Sequence, residues 1–202
     1  EAPAIMSTRL ARAWRALRLG LCAALVSASQ TPAHAAPVDV TTATVADLGD
    51  ALARGSLTSE QLVRAYLARI SAYEDRGPSI NALITLNPGA LATAGALDRE
   101  RRRGRVRGPL HGIPVILKDN FDTADLPTTA GSQLLAGWRP SRDAAVVRRL
   151  REAGAIVLAK ANLGEFAGGG SALFGLPEAT MKATFVPSGF GTAGGQTLNP
   201  HD

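Results

Sequence analysis

At 202 residues the chain has room for one domain with a real core. Its 46% hydrophobic share is that of a globular protein, and its 4% aromatic share makes the expected core aliphatic. The net charge of +5 gives no case for a nucleic-acid partner, because residues 1–35 hold four arginines against one acid and so carry most of the excess.

In chain order, residues 1–35 read as upstream residues plus an export signal. Met6 is the expected biological start, with Glu1–Ile5 as upstream translation. Arg9, Arg12, Arg15 and Arg18 form a positive region, Leu19–Val26 an apolar one, and Ala33-His34-Ala35 a small-x-small cleavage site. The apolar run is far short of the ~20 residues of a spanning helix, so no membrane span is expected. An Arg-rich transit peptide and a basic tail are the competing readings. The single cysteine, Cys22, lies in this leader. A mature chain beginning near Ala36 therefore has no thiol for a disulfide, a nucleophile or zinc.

Residues 36–202 show no internal repeat or linker and read as one domain portion. Thr44-Val-Ala-Asp47 is a capping-box pattern followed by Val45, Leu48 and Leu52 on one helical face. Thr58-Ser-Glu-Gln61 opens a second helix with a stripe of Leu62, Tyr66, Ile70 and Tyr73, stopped by Gly77-Pro78. Ala82–Leu86 suits a strand, and Pro88 starts a helix ending near Gly104. Ile113–Leu117 is a strand, Ser141–Ala153 a helix with Val146, Val147 and Leu150 inward, and Ala155–Ala159 a second buried-type strand. Parallel pairing of those strands makes a βαβ-like unit, and the fold class is α/β, a mixed β-sheet covered by helices. Glycine-rich loops follow Asn162, where α/β folds place their sites.

The most basic stretch, Arg99–Arg107, could bind an anion. It lacks interleaved aromatics for base stacking, and a solvated helix C-terminus accounts for it. His111 and His201 are the only histidines beyond the leader, and Gly-x-Ser-x-Gly is absent, which disfavours a serine–histidine triad. Gly168-Gly-Gly-Ser171 and Gly191–Gly195 match neither a P-loop nor a dinucleotide fingerprint, and read as loops or close backbone packing. No cofactor pattern and no metal-ligand spacing occur.

Two lysines follow apolar strand residues, Lys118 and Lys160. Desolvation lowers a lysine's pKa, and a neutral lysine can take a proton from a serine hydroxyl. The alternative is a lysine paired with an acid: Asp119 or Asp122 for Lys118, Glu165 for Lys160. Residue chemistry alone leaves both open.

Arg107-Gly-Pro-Leu-His-Gly-Ile-Pro-Val-Ile-Leu-Lys-Asp-Asn120 closely resembles the amidase signature family. The agreement continues through Thr128-Thr-Ala-Gly-Ser132 and Gly154–Phe166, and covers most of residues 44–202. The resemblance implies an amide hydrolase with a serine–serine–lysine triad, no cofactor, and a small-molecule or peptide amide as substrate. By motif position the catalytic lysine is Lys118, with Lys160 at a structural position. The family's serines belong to a Gly-Gly-Ser-Ser-Gly-Gly stretch, which does not occur in the 202 residues, and a later Gly-Gly-Ser loop, for which Gly168-Gly-Gly-Ser171 comes too early, directly after the Asn162–Phe166 motif. Ser171 and Ser188 do not substitute for them.

The resulting expectation is the N-terminal portion of an exported amidase that carries the base, lacks the nucleophile, leaves strands with open edges, and is inactive alone. A protein like the A-type chain of a tRNA-dependent amidotransferase and a non-catalytic remnant or binding module are the alternatives.

Overall fold

The computed structural model describes residues 38–74, 76–167 and 189–201. The leader with Cys22, and Gly168–Ser171 and Ser188, lie outside them. Two capping boxes open the helical part. In α1, Val45–Arg54, the Thr44 side chain accepts from the Asp47 amide while Asp47 accepts from the Thr44 amide. Gly55, in the left-handed region at φ 71°, closes the helix. In α2, Ser59–Tyr73, Thr58 and Gln61 repeat the exchange. A second cap comes from far along the chain: the Asp98 carboxylate accepts from the Ser59 amide at 2.8 Å and from Glu60 at 3.0 Å. It satisfies orphan donors at the positive end of the helix.

Strand β1, Leu83–Leu86, leads to α3, Ala90–Arg102. The helix starts two residues after Pro88, because Asn87 takes the Gly89 amide in a local turn first. Strand β2, Pro114–Lys118, and strand β3, Ile156–Ala161, flank α4, Ala145–Glu152. Both strands run through their lysines instead of ending before them. The sheet order is β1-β3-β2, with β1 antiparallel and β2 parallel to β3. The βαβ unit is thus present, and the fold is a mixed α/β sheet between helices. A small hairpin, β4 (Phe190–Gly191) with β5 (Gly195–Gln196), completes the described residues.

Three apolar clusters hold these elements. Val63 of α2, and Ala90, Ala94 and Leu97 of α3, pack on Ile156 and Leu158 of β3. Leu48 and Leu52 of α1 meet Leu62 and Ile113. On the other face of the sheet, Val147 of α4 packs with Leu117, Leu126 and Val157. Each fully buried aliphatic side chain contributes roughly 1.5–3 kcal/mol. Some expected inward residues are not inward. Val45, at the first turn of α1, is 50% exposed, and Tyr73 at the end of α2 stacks under the Arg69 guanidinium, 5.4 Å from its ring centre. Val146 is also exposed, because α4 begins at Ala145 and turns its stripe onto Val147 and Leu150. Leu86 and Ile116, on the two outer strands, are both about half exposed, so each edge shows apolar surface. No helix among the described residues is long and apolar enough to cross a membrane.

His111 is structural. It is buried just before β2, its Nδ1 accepts from the Arg107 amide at 3.1 Å, and its Nε2 lies 3.0 Å from the Leu97 carbonyl. An acceptor at Nδ1 and a donor at Nε2 fit one neutral tautomer. His201 is exposed. The basic stretch ends α3, as a solvated terminus would: Arg107 forms a fork on Glu100, and Arg101 donates to the His111 carbonyl at 2.7 Å. Gly191–Gly195 spans the β4–β5 hairpin and is close backbone packing. A Cβ at Gly191 would lie 2.6 Å from the Leu163 carbonyl.

Candidate active site

The end of β2 carries the candidate site. Leu117 is buried, while the next residue, Lys118, is exposed and shares the opposite face of the strand with Ile116. The lysine enclosed by the fold is instead Lys160, whose side chain is fully buried. Burial pushes the Lys160 ammonium below the ordinary lysine range, and the Asp119 carboxylate opposes that push.

Asp119 follows Lys118 directly and fixes the backbone there. Its amide donates to Ala161 at 3.0 Å, continuing the β2–β3 ladder one residue past the strand. Its carbonyl accepts from Ala130 at 3.0 Å, and the Lys118 carbonyl accepts from Phe121 at 3.0 Å. Its carboxylate takes the Thr129 amide at 3.0 Å and the Thr129 hydroxyl on Oδ2, while Oδ1 lies 3.0 Å from Lys160 Nζ. Asp119 and Lys160 are both inaccessible to solvent.

Lys160 Nζ has three further oxygens around it: Thr128 Oγ1 at 2.9 Å, the Pro127 carbonyl at 3.1 Å and Thr123 Oγ1 at 3.3 Å. The two threonine hydroxyls have carbonyl partners of their own. Thr123 donates to Leu126, and Thr128 donates to Phe121. Each therefore offers a lone pair to the ammonium.

Two pairings expected from the sequence change. The acid beside Lys118 serves Lys160 instead, because Asp119 points to the buried side while Lys118 points out. Glu165 is not the partner of Lys160; its carboxylate accepts from Thr192 at 2.9 Å. Thr123, Pro127, Thr128 and Thr129 escape a reading of the sequence for site residues. Their signals are the run of small hydroxyl residues shortly after a Lys-Asp pair and, for Thr128 and Thr129, a place in the Thr128–Ser132 motif that assigned them no role. Ser132, at the end of that loop, is fully buried.

Known proteins resemble this chain in sequence and in fold. The family model described as Amidase matches residues 61–202. The chain is 39% identical over 168 residues to the A-type chain of the glutamyl-tRNA(Gln) amidotransferase of Salinispora arenicola, covering 81% of this chain and 34% of that protein. Among solved structures, the native peptide amidase from Stenotrophomonas maltophilia matches with a TM-score of 0.73 and 47% identity, over 82% of this chain and 31% of that one. An amidase family protein from Bacillus anthracis matches with a TM-score of 0.70 and 38% identity, over 81% and 30%. The chain thus spans about a third of the length of these relatives. With a matching model over most of its residues and the same mixed sheet as its solved neighbours, the chain belongs to the amidase family.

Proposed function

We propose that this chain carries the general base of an exported amide hydrolase, and that the base is Lys118. The observation that supports this reading most is the end of β2. The Gly-Pro-Leu-His-Gly-Ile-Pro run leads into a strand whose final lysine is exposed while the backbone beyond it is hydrogen-bonded on both sides. In its neutral form a lysine at this strand end can accept the proton of a serine hydroxyl through a second serine, and so activate attack on an amide carbonyl. The hydroxyl oxygen bonds to the carbonyl carbon, the C–N bond breaks and the proton passes to the departing amine; water then cleaves the serine ester, releasing the carboxylic acid and restoring the hydroxyl. The substrate class is a linear amide, with peptide amides favoured by the likeness to a peptide amidase.

The 202 residues contain the lysine and no Gly-Gly-Ser-Ser-Gly-Gly run. The purified 202-residue chain is therefore expected to release no ammonia from peptide or aryl amides. Detectable turnover that is lost in Lys118→Ala would overturn that expectation. The base assignment is tested on the chain joined to whatever its gene encodes after codon 202. There Lys118→Ala lowers kcat by about 10³-fold or more, and turnover indifferent to the substitution sinks the assignment.

The likeness to an amidotransferase chain supports a second reading, amide transfer within a complex. The leader pattern of residues 6–35 favours export over it, and N-terminal sequencing of the protein from fractionated cells decides the point. A mature terminus near Ala36 supports export, and an uncut cytosolic chain supports the transferase reading.

A further inference from the structure

We propose that Lys160 is a positioning residue for Lys118: one buried ammonium gathers Asp119, Thr123, Pro127 and Thr128, and so fixes both the end of β2 and the loop that leaves it. The proposal rests on the reading of Lys118 as base. It assigns work to a residue that the proton transfer itself does not use.

Three features of the geometry support it. First, the four oxygens around Lys160 Nζ come from Asp119 and from residues four to nine positions later, all on the segment that begins directly after Lys118. Nothing in that segment up to Ser132 is helix or strand, so regular structure does not hold it in place. Second, the four oxygens form a cage for a cation. The Pro127 carbonyl and the carboxylate only accept, and both threonine protons are engaged elsewhere. A neutral amine has two protons for these oxygens and turns its lone pair against one of them. The ammonium meets the cage without conflict. Third, the same carboxylate that faces Lys160 also holds the Thr129 amide, and the Asp119 backbone is bonded to Ala161 and Ala130. Moving Lys160 therefore releases Asp119, and Asp119 is covalently next to Lys118.

A residue that acts only on global stability would loosen the whole sheet evenly. A positioning residue loosens one end of it. Hydrogen exchange on the full chain separates the two. In Lys160→Met, the Asp119, Thr129 and Ala130 amides are expected to exchange about tenfold faster or more, while the Ile156 amide, bonded to Ile113 at the far end of the same ladder, keeps its rate. Thr128→Val, nearly isosteric and lacking one cage hydroxyl, should give the same pattern more weakly, and it stands in if Lys160→Met fails to fold. Unchanged exchange at the three amides, or equal acceleration at Ile156, overturns the proposal.

The kinetic arm uses the whole protein as its gene encodes it. Lys160→Met is expected to lower kcat by about 10- to 100-fold with KM nearly unchanged, as misplacement of a catalytic group does. An unchanged kcat in a protein that Lys118→Ala inactivates overturns the proposal. If Lys118→Ala leaves turnover intact, the base assignment falls instead, and the exchange pattern alone judges whether Lys160 fixes the strand end.

Discussion

Leu117 of β2 stands directly opposite Lys160 of β3. Partners in a ladder share a face, so Lys160 lies on the side of Leu117 and Lys118 on the other. The register explains how a lysine comes to that side. Between Val115 and Ile116, β2 advances one residue while β3 advances from Val157 to Ala159. The extra residue, Leu158, reverses the alternation of β3 beyond it. Ile156 and Leu158 face α2 and α3, and strict alternation would send Lys160 into that same apolar cluster. The offset turns it instead toward the loop of residues 119–132, where oxygens await it. Two lysines that look alike in the sequence thus leave the sheet by opposite faces, one into solvent and one into a closed ion pair.

The acid side of the stability profile should carry the signature of Glu100. Hydrogen bonds from the Arg107 guanidinium, helped by the charges of Arg107 and Arg105, lower its pKa from 4.5 to about 2. A carboxylate whose folded value is depressed stabilises the fold fully above its unfolded value. That contribution fades as pH falls from 4.5 toward about 2, because the unfolded chain takes up the proton first. Glu100→Gln should remove this part of the acid loss. Urea midpoints of the two proteins between pH 5 and pH 2 check it, and they should converge at the acid end. Parallel profiles would show that the Arg107 fork has no bearing on folding.

α4 gives a paired expectation from adjacent residues. Val147 is fully buried between β2 and β3, and Val146 is 44% exposed. Val147→Ala should cost about 1–3 kcal/mol, and Val146→Ala within ~0.5 kcal/mol of nothing. Chemical denaturation of the two variants decides it, and equal losses would mean that the helix is rotated from the position described.

These residues show what the sequence makes legible. Capping boxes at Thr44 and Thr58 and the apolar runs of β2 and β3 depend on neighbours within four residues, and local pattern locates them well. The family motif singles out Lys118 for the same reason, since it is contiguous. What escapes is set by pairing between distant segments. The phase of α4 depends on where its first turn starts, and the Asp119–Lys160 pair depends on a register offset that no window of one strand contains. The loop threonines around Lys160 are equally silent, because hydroxyl residues in a loop have many possible partners and only the fold chooses among them.

Asp98 is a long-range cap of this silent kind. It sits in α3 with 7% exposure and holds the first two amides of α2. Asp98→Ala leaves those donors without a partner and removes a negative charge from the positive end of the helix. A loss of about 1–3 kcal/mol is expected from the desolvated amides. Asp98→Asn, which keeps an acceptor, should recover about half. Thermal and urea unfolding of both variants tests this. An Asp98→Ala protein as stable as the parent would show that the Thr58 capping box suffices alone.

Gly154 follows the cap of α4 and packs against His111. It lies at φ +89°, in the region that favours glycine, and its carbonyl accepts from Gly112 at 2.8 Å. A Cβ at this position would stand 2.7 Å from His111 Cα and 3.0 Å from His111 Cβ, so backbone has to move to admit it. Gly154→Ala therefore combines dihedral strain with a steric clash, and should cost about 2–4 kcal/mol. His111 is also what the Arg107 amide and the Leu97 carbonyl rest on, so the damage should spread to both. Hydrogen exchange should then show the Arg107 amide losing protection in Gly154→Ala while the Thr128 amide, bonded to Trp138 in the loop after β2, keeps its own relative to global stability. A variant of parental stability with an intact Arg107 amide would mean that the His111 turn gives way without cost. In that case the approach of β3 to the His111 turn is looser than the distances imply.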